Sequence, residues 1–154
     1  MAKGEQRSAA RLAAVQALYQ MEISGSPLPD TLAQFESHWL GQTVDGDEYK
    51  PAEAAFFRDL VGGVLKQQRT LDPLIDRTLA GGWPLKRVEA IMRAILRAGA
   101  FELGKRKDVP VKVVITEYVD IAHAFFERDE VGMINAVLDA VARETRPDEF
   151  AKRA

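Results

Sequence analysis

The chain has 154 residues, 47% hydrophobic and 29% charged, with a formal net charge of −2. These are the proportions of a globular protein that can bury a core without staples, and they exclude a polycationic nucleic-acid sponge. The absence of cysteine excludes thiolate nucleophiles, Cys-ligated zinc and disulfide frameworks, and fits a cytoplasmic setting. No run approaches the ~20 apolar residues of a membrane helix.

Helical spacing dominates from the start, and nothing alternates with the period of a strand. Residues 7–22 predict a first helix, with Leu12, Val15, Leu18 and Tyr19 facing a core and Ser24–Pro27 ending it. The alanine-rich opening is interrupted by Gln16 and Gln20 and reads as mature protein rather than a signal peptide. A second helix runs to about Leu40 on Leu32, Phe35 and Trp39, and residues 41–50 form an acidic loop. Pro51 suits the first turn of a third helix carrying Phe56, Phe57, Leu60, Val61, Val64 and Leu65. A shorter helix follows over about 71–80.

Gly81-Gly82-Trp83-Pro84 is the strongest internal break. It predicts one domain over 1–154, divided into an N-terminal helical lobe (about 1–80) and a C-terminal one (about 84–145). The helix at 85–104 places Val88, Ile91, Met92, Ile95, Gly99 and Leu103 on one stripe, with Lys86, Arg93 and Arg97 within about 40° of one another opposite it. Pro110 opens a helix with Val114, Tyr118, Ile121, Ala122 and Phe125 in register. The last helix, 130–144, uses Ile134, Val137, Leu138 and Val141, and 146–154 reads as a disordered, frayed tail. The expectation is an all-α fold of about seven helices with short connections.

A search for chemistry finds no catalytic residue, metal set or cofactor motif. His38 and His123 are far apart, without a second ligand at metal spacing. Gly62-Gly63 and Gly81-Gly82 match no phosphate-binding pattern; the first pair lies inside a helix, where small residues permit close packing. The acid pairs Asp45/Asp47 and Asp129/Glu130 suit polar turns and helix starts. The chain therefore reads as a binding protein.

The features that point to a ligand concern nucleic acid. Arg7 and Arg11 are four apart near a helix start, with Lys3 ahead and Tyr19 further on. Arginine forks suit phosphate oxygens, and an aromatic ring can stack on an unpaired base. Solvated arginines and a core tyrosine would account for the same residues.

Two segments together resemble the NusB family. RSAARLAAVQALYQME (7–22) is similar to its opening arginine-rich helix, with Val15-Gln16-Ala17-Leu18-Tyr19 at the signature. DVPVKVVITEYVDIAHAFFERDEVGMINAVLDAV (108–141) is similar to its C-terminal block, and FFRDLVGGV (56–64) and ILRAGAFEL (95–103) match between them. The resemblance implies two small packed helical subdomains and a non-catalytic antitermination factor. It implies binding of boxA-type single-stranded RNA together with the small-subunit ribosomal protein NusE, in an antitermination complex on RNA polymerase that promotes ribosomal RNA transcription.

By match to the motifs, Lys3, Arg7, Arg11, Tyr19, Asp129, Gly132 and Met133 are the implied RNA-binding residues. Glu102, Glu117 and Tyr118 are the implied partner contacts. Departures are Ser8 and Ala9 within the arginine run, Thr116, His123, Gly132, Met133 and Ala136; they thin the phosphate contacts and place more weight on the protein partner. Two alternatives stand beside this reading. One is an accessory module like those of RNA methyltransferases, which would need a methyl-donor domain that these residues do not contain. The other is a helical interaction module without RNA.

Overall fold

Alanine dominates the inner face of the first helix, and that choice lets the neighbouring helices come close. In a computed structural model describing residues 3–39, 43–44, 47–48, 51–79 and 88–151, α1 (Lys3–Ser24) buries Ala10, Ala13, Ala14, Val15, Ala17 and Leu18. Leu12 and Tyr19, expected in the core, are instead exposed. Once the alanines take the inner face, these two residues fall on the opposite side. Gly25, at φ 73°, ends the helix in the left-handed region open to glycine.

Next come α2 (Leu28–Trp39) and a minimal antiparallel ribbon, β1 (Thr43–Val44) with β2 (Asp47–Glu48), in which Thr43 faces Glu48. The predicted third and fourth helices are a single element, α3 (Pro51–Thr78), which continues through Pro73. Burial of Leu71, Leu74 and Ile75, worth about 1.5–3 kcal/mol each, outweighs the roughly 3 kcal/mol cost of an interior proline.

Then follow α4 (Ala90–Lys105), α5 (Val111–His123) and α6 (Arg128–Thr145). The predicted boundary at Gly81–Pro84 lies outside the described residues, as does Lys86. Buried side chains from both sides of it, Leu60 and Ile95 among them, join one hydrophobic cluster.

The centre of the fold is α4, which packs against α1, α3, α5 and α6. Gly99 and Gly63 permit this closeness. A Cβ on Gly99 would sit 2.8 Å from Leu138 Cδ2, and one on Gly63 would collide with the Phe101 ring. Gly62 has open space around it. Arg93 and Arg97, expected opposite the core-facing stripe, are largely covered. Arg93 pairs with Glu22 at 2.9 Å and Arg97 with Asp72 at 2.8 Å, tying α4 to α1 and α3.

The frayed tail does not hold for residues 146–151. Pro147–Ala151 form α7, and Arg146 is 5% exposed. Its guanidinium donates to the carbonyls of Glu102, Leu103, Arg106 and Val109 at 2.6–3.1 Å. It thereby adds to the backbone N–H groups that Glu102 and Arg106 already accept, gives Leu103 and Val109 a donor, and holds the α4–α5 turn in place.

Candidate nucleic-acid interface

The first two turns of α1, the start of α3 and the α4–α5 turn meet at one corner of the molecule. Phe56 is the common neighbour. Its ring is 2% exposed, and the guanidinium carbons of Arg7, Arg11 and Arg106 lie 4.7, 5.0 and 5.0 Å from its centroid.

The three arginines have different surroundings. Arg11 is 2% exposed. Its Nε and Nη2 donate to the two carboxylate oxygens of Glu102 at 2.7 and 3.1 Å, and its Nη1 donates to Glu117 at 2.7 Å. Tyr118 donates its hydroxyl to Glu102 at 2.5 Å, and Ser8 donates to Glu117. Burial works against the Arg11 charge, but the hydrogen bond and field of Glu102, with Tyr118 and Glu117, more than compensate and raise its pKa. Burial, reinforced by the negative charge of Glu102 and the hydrogen bond to it, pushes the Tyr118 phenol well above its ordinary 10.0.

Arg106 pairs with Asp59 and Asp108, each at 3.2 Å. Burial of the Asp108 carboxyl is outweighed by Arg106, which together with the field of Arg7 holds it below 3.8. Arg7 is half-buried and has no carboxylate at ion-pair distance among the described residues. It lines an open cleft of about 310 Å³ with Arg11, Asp108, Val109, Pro110, Val113 and Glu117.

This geometry corrects three expected roles. All three nitrogens of Arg11 are committed to buried or half-buried carboxylates, so it is an internal staple rather than a phosphate ligand. Glu102 and Tyr118 are fully buried and cannot touch a partner from where they stand. Glu117 is partly exposed, at the cleft wall. The Lys3 side chain lies outside the described residues, as does that of His38; His123 is exposed at the end of α5.

The remaining expected residues are not gathered at the cleft. Tyr19 is 40% exposed, but twelve residues along α1 from Arg7, about 18 Å. It shares an exposed stripe with Leu12, Gln16 and Ile23. Asp129, Gly132 and Met133 reach the surface at the start of α6, while the cleft uses the start of α5, one helix length away. There Glu127 and Glu130 form a reciprocal capping box, which accounts for the acids as helix-start chemistry.

Neither Lys107, part of the basic stretch before Pro110, nor Lys112 was among the expected site residues, and both are exposed on or beside the turn that walls the cleft. The run Lys105-Arg106-Lys107 next to Pro110 was the available signal. Among the described residues no group of three or more His, Asp or Glu side chains could hold a metal ion, and no helix is long and apolar enough to cross a membrane.

A helical bundle with a cationic corner and an exposed apolar stripe is the architecture of a binding protein. The chain belongs to the NusB family, whose model matches residues 8–143. The transcription antitermination protein NusB of Nitrobacter hamburgensis is 65% identical over 150 residues, 97% of this chain and 94% of the relative. That of Rhodopseudomonas palustris (strain HaA2) is 63% identical over 150 residues, covering 97% and 89%.

Among solved structures, T. maritima NusB superposes with a TM-score of 0.78 at 27% identity, covering 94% of this chain and 96% of that one. Antitermination factors NusB and NusE in complex with dsRNA provide a chain at TM-score 0.77 and 19% identity, covering 91% and 98%; this last likeness concerns the fold. The protein is a transcription antitermination factor and not an enzyme.

Proposed function

We propose that the protein binds boxA-type single-stranded RNA jointly with ribosomal protein NusE, in the cytoplasm, and so promotes ribosomal RNA transcription on RNA polymerase. The observation that carries the reading is Arg7: a half-buried guanidinium lining an open cleft, without a carboxylate at ion-pair distance among the described residues. Lys107 and Lys112 extend positive charge along the same corner. A NusB with this fold has been solved with NusE and double-stranded RNA, which supports both partner classes.

The corner is poor in free charge. Arg7, Arg11 and Arg106 face Glu102, Glu117, Asp59 and Asp108, so few cations remain to release counterions from RNA. Affinity for RNA alone is therefore weak, and the protein partner supplies the rest. The exposed stripe of Leu12, Tyr19 and Ile23, rather than Glu102 and Tyr118, is the surface that this partner covers.

Fluorescence anisotropy of a labelled boxA-like strand, across a salt series and with or without NusE, tests the reading. Weak binding alone and clear enhancement with NusE are expected. Lack of binding under both conditions refutes it. Leu12→Asp combined with Ile23→Asp should abolish the enhancement and leave binding to RNA alone unchanged.

A further inference from the structure

We propose that Phe56 is the positioning residue of the RNA contact: its buried ring holds the Arg7 guanidinium at the mouth of the cleft. The inference rests on the RNA-binding reading above.

Two adjacent phenylalanines make the case. Phe57 stacks on Phe35, with centroids 5.8 Å apart and planes at 26°. This is ordinary core packing, and an aliphatic side chain could fill much of the same space. Phe56 is equally buried, yet its ring is surrounded by three guanidiniums. A leucine there would also exclude water. It would lack the negative face that attracts a cation.

Of the three cations, Arg11 is oriented by Glu102 and Glu117, and Arg106 by Asp59 and Asp108. Neither needs the ring for its direction. Arg7 makes no such pair among the described residues, and the ring is the contact that orients it. It also lies in the second turn of a helix that begins at Lys3, where an arginine otherwise keeps its rotamer freedom. The neighbouring cations are anchored to carboxylates and cannot swing away, so their repulsion directs Arg7 outward. Asp108, whose acidity already reflects the field of Arg7, stands across the cleft. A phosphate entering there meets a guanidinium already in place instead of one that must be ordered on binding.

The test is a double-mutant cycle on RNA binding in the presence of NusE. Phe56→Leu should lower affinity about three- to tenfold and reduce the salt slope by about 0.7, the value of one lost phosphate contact on a single strand. Arg7→Ala should do the same, and the double variant should lose no more than Arg7→Ala alone. Phe56→Tyr should restore binding. Phe57→Leu, an equivalent core truncation, should reduce stability without altering the slope.

Should Phe56→Leu fail to fold, a trifluorinated phenylalanine at position 56 keeps the shape and removes the negative face. It should reproduce the loss of affinity. The ring-shifted side-chain N–H resonance of Arg7 should move toward its free-arginine position in either variant. Unchanged affinity in a folded Phe56 variant, or additive losses with Arg7→Ala, would overturn the proposal while leaving RNA binding intact. An unmoved Arg7 resonance would overturn the positioning geometry without reference to RNA. If the wild-type protein binds no RNA, the functional reading itself fails and this inference with it.

Discussion

One turn separates Arg7 from Arg11 on α1, and both guanidiniums lie over Phe56. Arg11 turns inward, where Glu102 and Glu117 take every nitrogen. Arg7 stops at the cleft and holds no carboxylate among the described residues. The two residues differ by about 40° around the helix axis, and that rotation separates a charge buried among carboxylates from one left at the cleft. Motif spacing treats the pair as equivalent; the packing of α4 and α5 against α1 makes them unlike.

The largest way to break the comparison is to remove the inner member. Arg11→Met leaves the buried Glu102 charge without its counter-ion, and Glu102→Gln leaves the buried Arg11 with Glu117 as its one carboxylate partner among the described residues. Each should cost about 3–5 kcal/mol in urea unfolding, the usual result of leaving one partner of a buried pair. Arg7→Met should cost no more than about 1 kcal/mol, mainly its contact with the ring. Equal costs for Arg11→Met and Arg7→Met would erase the distinction.

Tyr118→Phe removes one hydrogen bond to a buried carboxylate and should cost about 1.5–3 kcal/mol. It also gives a pH signature. The folded-state pKa of Tyr118 is raised above 10.0, so the native state retains a proton that the unfolded state releases. Stability from this group is complete below about pH 10 and falls as pH rises toward the folded value. The alkaline loss should be shallower in Tyr118→Phe, as followed by thermal unfolding between pH 9 and 11.

A smaller effect sharpens the outer half. Arg7→Ala should weaken RNA binding severalfold and lower the salt slope by about 0.7, with helix content unchanged by circular dichroism.

Smallest of all is Asp108. Its pKa lies below 3.8 because Arg106 favours the carboxylate. The contribution is therefore present above about pH 4 and lost as pH falls through the lowered value. Asp108→Asn should slightly flatten the acid limb of stability and leave neutral pH nearly unaffected, since the group is more than half exposed.

Much of the fold was legible because it is written locally. The inward stripes Ile134, Val137, Leu138 and Val141 on α6, and Val114, Tyr118 and Ala122 on α5, are buried as their spacing predicts, whereas Phe125, expected in the same register, lies beyond the end of α5 and is exposed. Pro110 stands just before α5, and Gly25–Pro27 separate α1 from α2. Where the reading failed, the deciding contact came from far along the chain. A separate shorter helix was expected from about residue 71, yet Leu71 and Leu74, packed into the core, carry α3 on through Pro73. Arg146 looked like the start of a loose tail, but its acceptors are carbonyls about forty residues earlier.

The candidate site was less legible than the fold. Arg7 was singled out from the arginine run and stands at the cleft, while Arg11 and Glu102 were given contact roles, as was Tyr118 despite its core register, although the three form one buried network. Ser8, a departure within the arginine run, donates to Glu117 and belongs to the same corner. Helical period states which residues share a face. It does not state which neighbouring helix covers that face, or whether a carboxylate waits there.

By itself, then, the sequence determined the all-helical class, the turns and the faces of α4, α5 and α6, because these follow from local periodicity and breaker residues. It also carried the family, through motifs spread along most of its length. The tertiary structure alone decided which arginine is buried and which is available. The Arg11 guanidinium enters the core because long-range packing brings carboxylates to meet it, and those carboxylates stand on α4 and α5, about ninety to just over a hundred residues further along the chain.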